Sequence, residues 1–189
     1  MTAEPEEHRA PRADALRSRD AILAAAREVL AKDGSAGLDA IAERAGVHRA
    51  TLYRHYPTRE ALVAGLYEAY LDDAEAVVLE ADPDADDLLA EIVALTRRVY
   101  DVNLDWRAFD WAPAYTLETQ TRRAEMSMMT FRLFEAAHAR GAIRGDLTIR
   151  QALAAWGAPI LFLAARVSEG SWTLDEAIEH TTLLLRPPA

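Results

Sequence analysis

The chain has no cysteine and only one lysine, Lys32, among its 189 residues. Without thiols it has no disulfides, thiolate zinc sites, iron–sulfur clusters or cysteine nucleophiles, and such a composition suits a reducing compartment. Alternating runs of β-branched residues, the mark of half-buried strands, are also missing. The longest stretch without charge, 151–165, is 15 residues and contains Gly157 and Pro159. A membrane helix needs about 20 apolar residues, so no membrane segment or membrane partner is expected. Residues 1–19 are rich in Glu, Arg and Pro and carry no apolar core of a signal peptide, which points to the cytoplasm. Catalytic signatures are lacking as well: there is no Gly-rich phosphate loop, His-Glu-x-x-His or Gly-x-Ser-x-Gly. One Glu-x-x-His is present, Glu135 to His138, but a di-iron bundle needs two of them and further carboxylates. The pair reads as surface, and neither enzymatic activity nor a cofactor nor a metal is expected.

What is present is 51% hydrophobic, enough for a sizeable core, with glycine and proline placed mostly between long Ala- and Leu-rich stretches. The pattern is all-α. Apolar residues at helical spacing predict a helix over 14–32 closed by Gly34, a short one over 38–45 closed by Gly46, and a third over 48–55 closed by Pro57. A long helix behind Thr58 as N-cap reaches residue 80. After the acidic break 82–87 come helices over 88–104, 114–140, 148–167 and 174–185. The domains expected are a disordered arm (1–13), a helix-turn-helix unit (14–57) and a helical body (58–189).

Charge is divided unevenly. Residues 1–57 hold nine basic and nine acidic side chains, whereas 58–189 hold 12 and 22, so the whole net charge of -10 belongs to the second part. The window 44–59 has Arg44, Arg49, Arg54, Arg59 and two histidines and no acid, while 60–96 has 11 acids and no base. Two short helices joined at a glycine, the second presenting basic and hydroxyl side chains, suit a helix-turn-helix DNA reader. Leu52 and Tyr56 lie four apart and point inward, leaving Arg49, Thr51, Tyr53, Arg54 and His55 for solvent or DNA. An arginine such as Arg49 can read a guanine edge at two points, and Ala50 and Thr51 can touch a thymine methyl. The adjacent acids repel DNA and confine contact to the basic patch.

Residues 36–62, with Ile41-Ala42, Ala45-Gly46-Val47, Thr51-Leu52-Tyr53 and Glu60-Ala61-Leu62, resemble the DNA-binding signature of TetR-family transcriptional regulators. The resemblance implies an N-terminal helix-turn-helix DNA-binding domain joined to a C-terminal helical domain that binds a small molecule and dimerises. It places Arg49, Ala50 and Thr51 at bases and Tyr53, His55 and Arg59 at phosphates, with His48, Arg54 and Thr58 completing the expected DNA-contacting set. Three positions depart from the family pattern. Gly37 stands where a Thr or Ser usually caps the second helix, His48 replaces a usual Ser, and Asp39 lies where some members carry a basic base-reading residue.

In the body, aromatic and methionine side chains suit a cavity for an apolar or aromatic effector. Tyr100, Trp106, Phe109, Trp111, Tyr115, Met126, Met129 and Trp156 are the candidates. The last two helices, one apolar nearly all round, are expected to pair with those of a second copy in a four-helix, two-fold interface. The function expected is a homodimeric repressor that binds a palindromic operator and is released by its effector. The alternative is a helical ligand carrier or enzyme on the same scaffold that reads no DNA.

Overall fold

A computed structural model describes residues 9–106 and 117–187, with side chains for 14–106 and 120–187. All regular structure among them is helical, in nine segments: α1 (Arg9–Lys32), α2 (Leu38–Ala45), α3 (Arg49–His55), α4 (Arg59–Leu79), α5 (Leu88–Asp105), α6 (Leu117–Ala139), α7 (Ile149–Gly157), α8 (Ile160–Ser168) and α9 (Leu174–Leu183). They fall into two compact units, one holding the described residues up to Glu68 and the other those from Ala69 onward.

In the first unit α1 buries Ile22, Ala25, Ala26 and Leu30, α2 buries Ile41 and Ala42, and α3 buries Leu52. α1 starts at Arg9, five residues before the start expected at Asp14; residues 1–8 lie outside the described set. α2 starts behind Gly37, whose backbone is extended (φ -79°, ψ 164°) and which has no side chain to cap the first amides. It stops at Gly46, which adopts φ +67°, a left-handed conformation that L side chains rarely take. The Val47 amide then donates to the Ala42 carbonyl at 3.1 Å, closing the turn. Thr58 caps α4, its hydroxyl oxygen accepting from the Ala61 amide at 3.1 Å.

The second unit is built around Leu88, Ile92, Leu95 and Tyr100 of α5, Leu133, Phe134 and Ala137 of α6, and apolar faces of α7, α8 and α9. The single helix expected over 148–167 is two. Gly157 and Ala158 precede Pro159, whose missing N–H breaks the ladder, and α8 restarts at Ile160. By length and composition alone the stretch Ile149–Ser168 is apolar enough to cross a membrane, contrary to the expectation from its uncharged run. In this fold it is broken in the middle and lends Ala152, Trp156, Ile160, Leu163 and Ala164 to the core. Capping boxes start α7 (Thr148 with Gln151) and α9 (Thr173 with Glu176), so both helix starts are written into the sequence. The backbone amide and hydroxyl of Thr173 hold the Glu176 carboxyl below its usual range.

Two buried hydroxyl chains thread this core. The Trp156 indole donates to Thr96 Oγ1 at 2.8 Å, and Thr96 donates to the Ile92 carbonyl at 2.6 Å. Thr181 donates to the Ala177 carbonyl at 2.8 Å, so in the 2.7 Å contact between Tyr100 and Thr181 the phenol is the donor. Every buried proton in the two chains thus has an acceptor.

Burial pushes the Tyr100 phenol above its ordinary value of 10.0, against the opposing pull of its Thr181 hydrogen bond. The unfolded chain therefore loses this proton first as pH rises, and stability falls above about pH 10. Tyr100→Phe is expected to cost about 1 kcal/mol at neutral pH and to flatten that alkaline loss, as urea unfolding at pH 7 and pH 10.5 will show. At the other end of the chain, a Cβ on Gly37 meets no atom within 4 Å. Gly37→Ser is expected to stabilise the first unit by a few tenths of a kcal/mol through the missing cap, while Gly37→Ala gives no such gain in the same melts.

Candidate DNA-reading surface and ligand cavity

α3 turns by about 100° per residue, which puts Arg49, Tyr53, Ala50 and Arg54 on one arc of about 140°. All four are exposed, whereas Leu52 and the capping Tyr56, whose backbone has left the helix, are buried. Thr51, about 60° beyond the arc, and His55, on the far side of the helix from it, are half-buried. His48, the extended N-cap residue of α3, is exposed, as is Thr58. The expected contact set is thus not one uniform surface. Arg49, Ala50, Tyr53 and Arg54 form its face, His48 stands at its leading end, and Thr51 sits at its edge.

Two members of the set are less open to DNA than their spacing suggests. His55 Nε2 is buried with no hydrogen-bond partner among the described residues, so only Nδ1 is left to meet a phosphate. Arg59 donates from Nη1 to the Ala36 carbonyl at 2.7 Å and from Nη2 to the Gly34 carbonyl. It clasps the α1–α2 connection onto the start of α4. In that connection the Ser35 hydroxyl and amide donate to Asp33 and hold its carboxyl below the usual range. The Glu60 carboxyl is likewise held low, by its own backbone amide and then by the Thr58 hydroxyl.

The basic window is also less basic in three dimensions than along the chain. Arg44 pairs with Glu28 of α1, and Arg49 pairs with Asp39 of α2. Both acids lie outside the window 44–59. Among the described residues Arg54 makes no ion pair or hydrogen bond, which leaves it as the cation of the arc available to a phosphate or base edge.

In the second unit a cavity of about 220 Å³ is walled by Tyr70, Leu71, Ala74 and Val78 of α4, Val99, Val102 and Asn103 of α5, and Trp156, Ile160 and Leu161. Met126, Ser127 and Thr130 of α6 complete the wall, with Arg123 beside them. The lining is mainly apolar. Its fixed polar feature is the contact between the Tyr70 hydroxyl and Asn103 Oδ1 at 3.4 Å.

Of the candidates named from sequence, Met126 and Trp156 line this cavity. Tyr100 does not, being wholly buried in the core on Thr181. Trp106 stands behind the wall, edge-on to Tyr70 at 6.3 Å, with its indole donating to Asp73 at 2.8 Å. Met129 is half-buried elsewhere on α6. Phe109, Trp111 and Tyr115 lie outside the described residues. The aliphatic wall of α4 and α5 was missed because its signal is only spacing, 70, 71, 74, 78 and 99, 102, 103, which any core face shares.

The acidic stretch is partly bound rather than solvated: Arg122 reaches Asp72 at 2.6 Å and Glu75 at 2.5 Å, and Arg98 reaches Glu91 at 3.0 Å. No group of three or more His, Asp or Glu that would hold a metal occurs among the described residues.

Residues 22–66 match the family of bacterial regulatory proteins called tetR. An 89-residue stretch is 40% identical to the HTH-type transcriptional repressor LfrR of Mycolicibacterium smegmatis, covering 47% of this chain and 45% of that protein. The aligned part is therefore about half of each. Among solved structures, the TetR transcriptional regulator SCO0520 of Streptomyces coelicolor superposes with a TM-score of 0.62 at 29% identity, over 90% of this chain and 99% of that one. LfrR of Mycobacterium smegmatis in complex with proflavine gives 0.67 at 23% identity, over 92% and 99%. A TetR-family regulator of Marinobacter aquaeolei gives 0.70 at 20%, over 93% and 98%. The N-terminal match rests on the helices that carry the arc, and the full-length superpositions take in the cavity-bearing unit. Residues 22–66 thus carry a tetR-type DNA-binding segment, and the chain as a whole has the fold of the TetR regulators it superposes on.

Proposed function

We propose that the protein is a ligand-responsive transcriptional repressor that binds a palindromic operator as a homodimer and leaves it when a small apolar or aromatic molecule enters the cavity. The observation that carries this reading is the arc of α3. Its inward side is anchored by Leu52 and Tyr56, and its outward side offers one two-point reader, a methyl, a phenol and an uncommitted arginine. In this reading Arg49 and Ala50 meet base edges, with Thr51 at their margin, and His48, Tyr53, Arg54, His55, Thr58 and Arg59 fix register on phosphates. Arg59 does so with the N–H groups its two carbonyl contacts leave over.

The regulatory coupling we propose runs along α4, which supplies Tyr70, Leu71, Ala74 and Val78 to the cavity wall and begins at Arg59. A ligand that displaces this helix changes the spacing of two reading helices, which must match half-sites about 34–36 Å apart. Domain limits near residues 57 and 58, with a short N-terminal arm, belong to the same proposal. The effector is apolar or aromatic because Tyr70 and Trp156 offer ring faces among aliphatic neighbours and no carboxylate is among the lining residues. That LfrR is seen with proflavine supports a planar aromatic ligand. The relatives are regulators, and an enzyme or carrier on this scaffold is not favoured.

Dimerisation through α8 and α9 is supported by large apolar side chains left open there: Leu161 (61% exposed), Phe162 (64%), Leu183 (52%) and Leu184 (53%). Deleting α9 is a poor test, because Ala177, Ile178 and Thr181 are core residues. Phe162→Glu with Leu183→Glu is expected to halve the mass by light scattering at unchanged helicity; a dimer that persists overturns this interface.

The operator reading is tested by titrating the purified protein onto its own upstream DNA, a scrambled duplex and duplexes recovered by random-site selection, each at two salt concentrations. Sequence-dependent binding that weakens steeply with salt is the expected result. Arg54→Ala is expected to weaken all duplexes alike and to lower the salt slope by about one. Failure to select any sequence removes the DNA-reading function.

A further inference from the structure

Asp39 is the second residue of α2 and Arg49 the first of α3, so the turn between the two helices brings a carboxylate against the leading side chain of the reading arc. The contact is made at two points. Arg49 Nε donates to Asp39 Oδ1, and Arg49 Nη2 faces Asp39 Oδ2. A second interhelical pair of this unit, Arg44 with Glu28, meets through Arg44 Nη2 and Glu28 Oε2. Both partners stay open to water, with 68% of the Arg49 side chain and 49% of the Asp39 side chain exposed.

An exposed pair of this kind adds little to stability. Its consequences are for the guanidinium. The five N–H groups of arginine form a planar fork, and a carboxylate on the Nε/Nη2 edge uses two of them in parallel. The remaining Nη1/Nη2 end still presents two parallel donors, the arrangement that matches O6 and N7 of guanine. A side chain already held by one edge has fewer rotamers to lose when the other edge docks. Its charge is offset as well, so it draws phosphates of any sequence less strongly, and the unpaired Arg54 carries more of that attraction.

We propose that Asp39 is a specificity-determining positioning residue: it holds Arg49 by one edge of its guanidinium, aims the other edge at a guanine, and withdraws Arg49 from sequence-independent binding. This rests on the operator-reading function proposed above.

The test uses the full-length protein and the operator found by random-site selection, with each base pair of a half-site changed in turn, at two salt concentrations. Wild type comes first. If it discriminates no sequence, the operator reading itself fails before any variant is made. If it discriminates, one G·C position is expected where substitution costs about 5- to 150-fold.

In Asp39→Ala the preference at that position should fall several-fold, binding to scrambled duplex should tighten, and the salt slope should steepen by about one. Arg49→Ala should abolish the same preference, and the double variant should lose no more than Arg49→Ala alone. Circular dichroism melts confirm that all three remain folded. The proposal is overturned if Asp39→Ala tightens cognate and scrambled duplexes by the same factor with every base preference intact, since Asp39 then acts only as a repelling charge. It is equally overturned if Arg49→Ala leaves all base preferences unchanged.

Discussion

The rotation of α3 about its own axis decides what this protein can present, and two side chains set it. Leu52 is fully buried and Tyr56 is 6% exposed, on a helix of only seven residues. So short a segment has no helical stability of its own and takes its orientation from packing. With Leu52 inward, the arc of Arg49, Ala50, Tyr53 and Arg54 is turned away from the core, and Tyr56, where the backbone leaves the helix, fixes the end of the segment. The Tyr56 ring needs room to lie inward, and Gly65 of α4 provides it: a Cβ there would sit 2.6 Å from a ring carbon. The Tyr56 hydroxyl accepts from Arg19 Nε of α1 at 3.4 Å. One aromatic residue thus touches α1 and α4 while terminating α3, so any change that displaces it turns the arc as well as loosening the core.

What the sequence made legible were the features that depend on near neighbours. Helix limits came within a residue or two wherever a stop or start is chemical: Gly46 at the left-handed turn, Thr58 on the Ala61 amide, Pro57 beyond α3. The fold class and the family followed from the same local signals, which the N-terminal match and the superpositions bear out. The split of the 148–167 helix was also written locally, in Gly157 and Pro159. It was overridden by an apolar pattern that runs through both halves because both face the core.

Electrostatics were not legible in this way. A window without acids reads as a basic patch only when charge is counted along the chain. Glu28 and Asp39, 16 and 10 residues upstream of their partners, are brought up by the packing of α1, α2 and α3. The same holds for Arg59, which by spacing stands where a phosphate holder belongs and in space spends two donors on the Gly34 and Ala36 carbonyls. The cavity was half legible for a related reason. Composition flags aromatic residues, but whether one lines a void or only fills the core is set by the packing of distant segments, and Trp156, bonded to Thr96, does both. Tyr100 and Trp106 turn their polar atoms to Thr181 and Asp73 and become structure, whereas Tyr70, facing Asn103, keeps a ring on the wall.

These pairings bear on the proposed reading of an anionic polymer by an acidic protein. With a net charge of -10, long-range attraction cannot rest on the molecule as a whole and must come from local charge near the contact face. At physiological salt, charges more than about 8 Å away are largely screened, so the carboxylates in direct contact with Arg44 and Arg49, Glu28 and Asp39, weigh heavily on the local charge. Of the three arginines on or beside α3, Arg44 and Arg49 are paired with carboxylates and Arg54 is not. Under the proposed operator reading, non-specific attraction rests more on Arg54 than on Arg44 or Arg49, and base contacts supply a larger share of the binding than in a reader with an unpaired basic helix. A weakly attracted reader keeps a high ratio of specific to non-specific affinity, and that ratio, multiplied by the number of competing sites, governs occupancy in a genome. Under the same proposal such a reader is also easier to remove: the smaller the sequence-independent term, the smaller the misalignment of the two reading helices needed to release the operator.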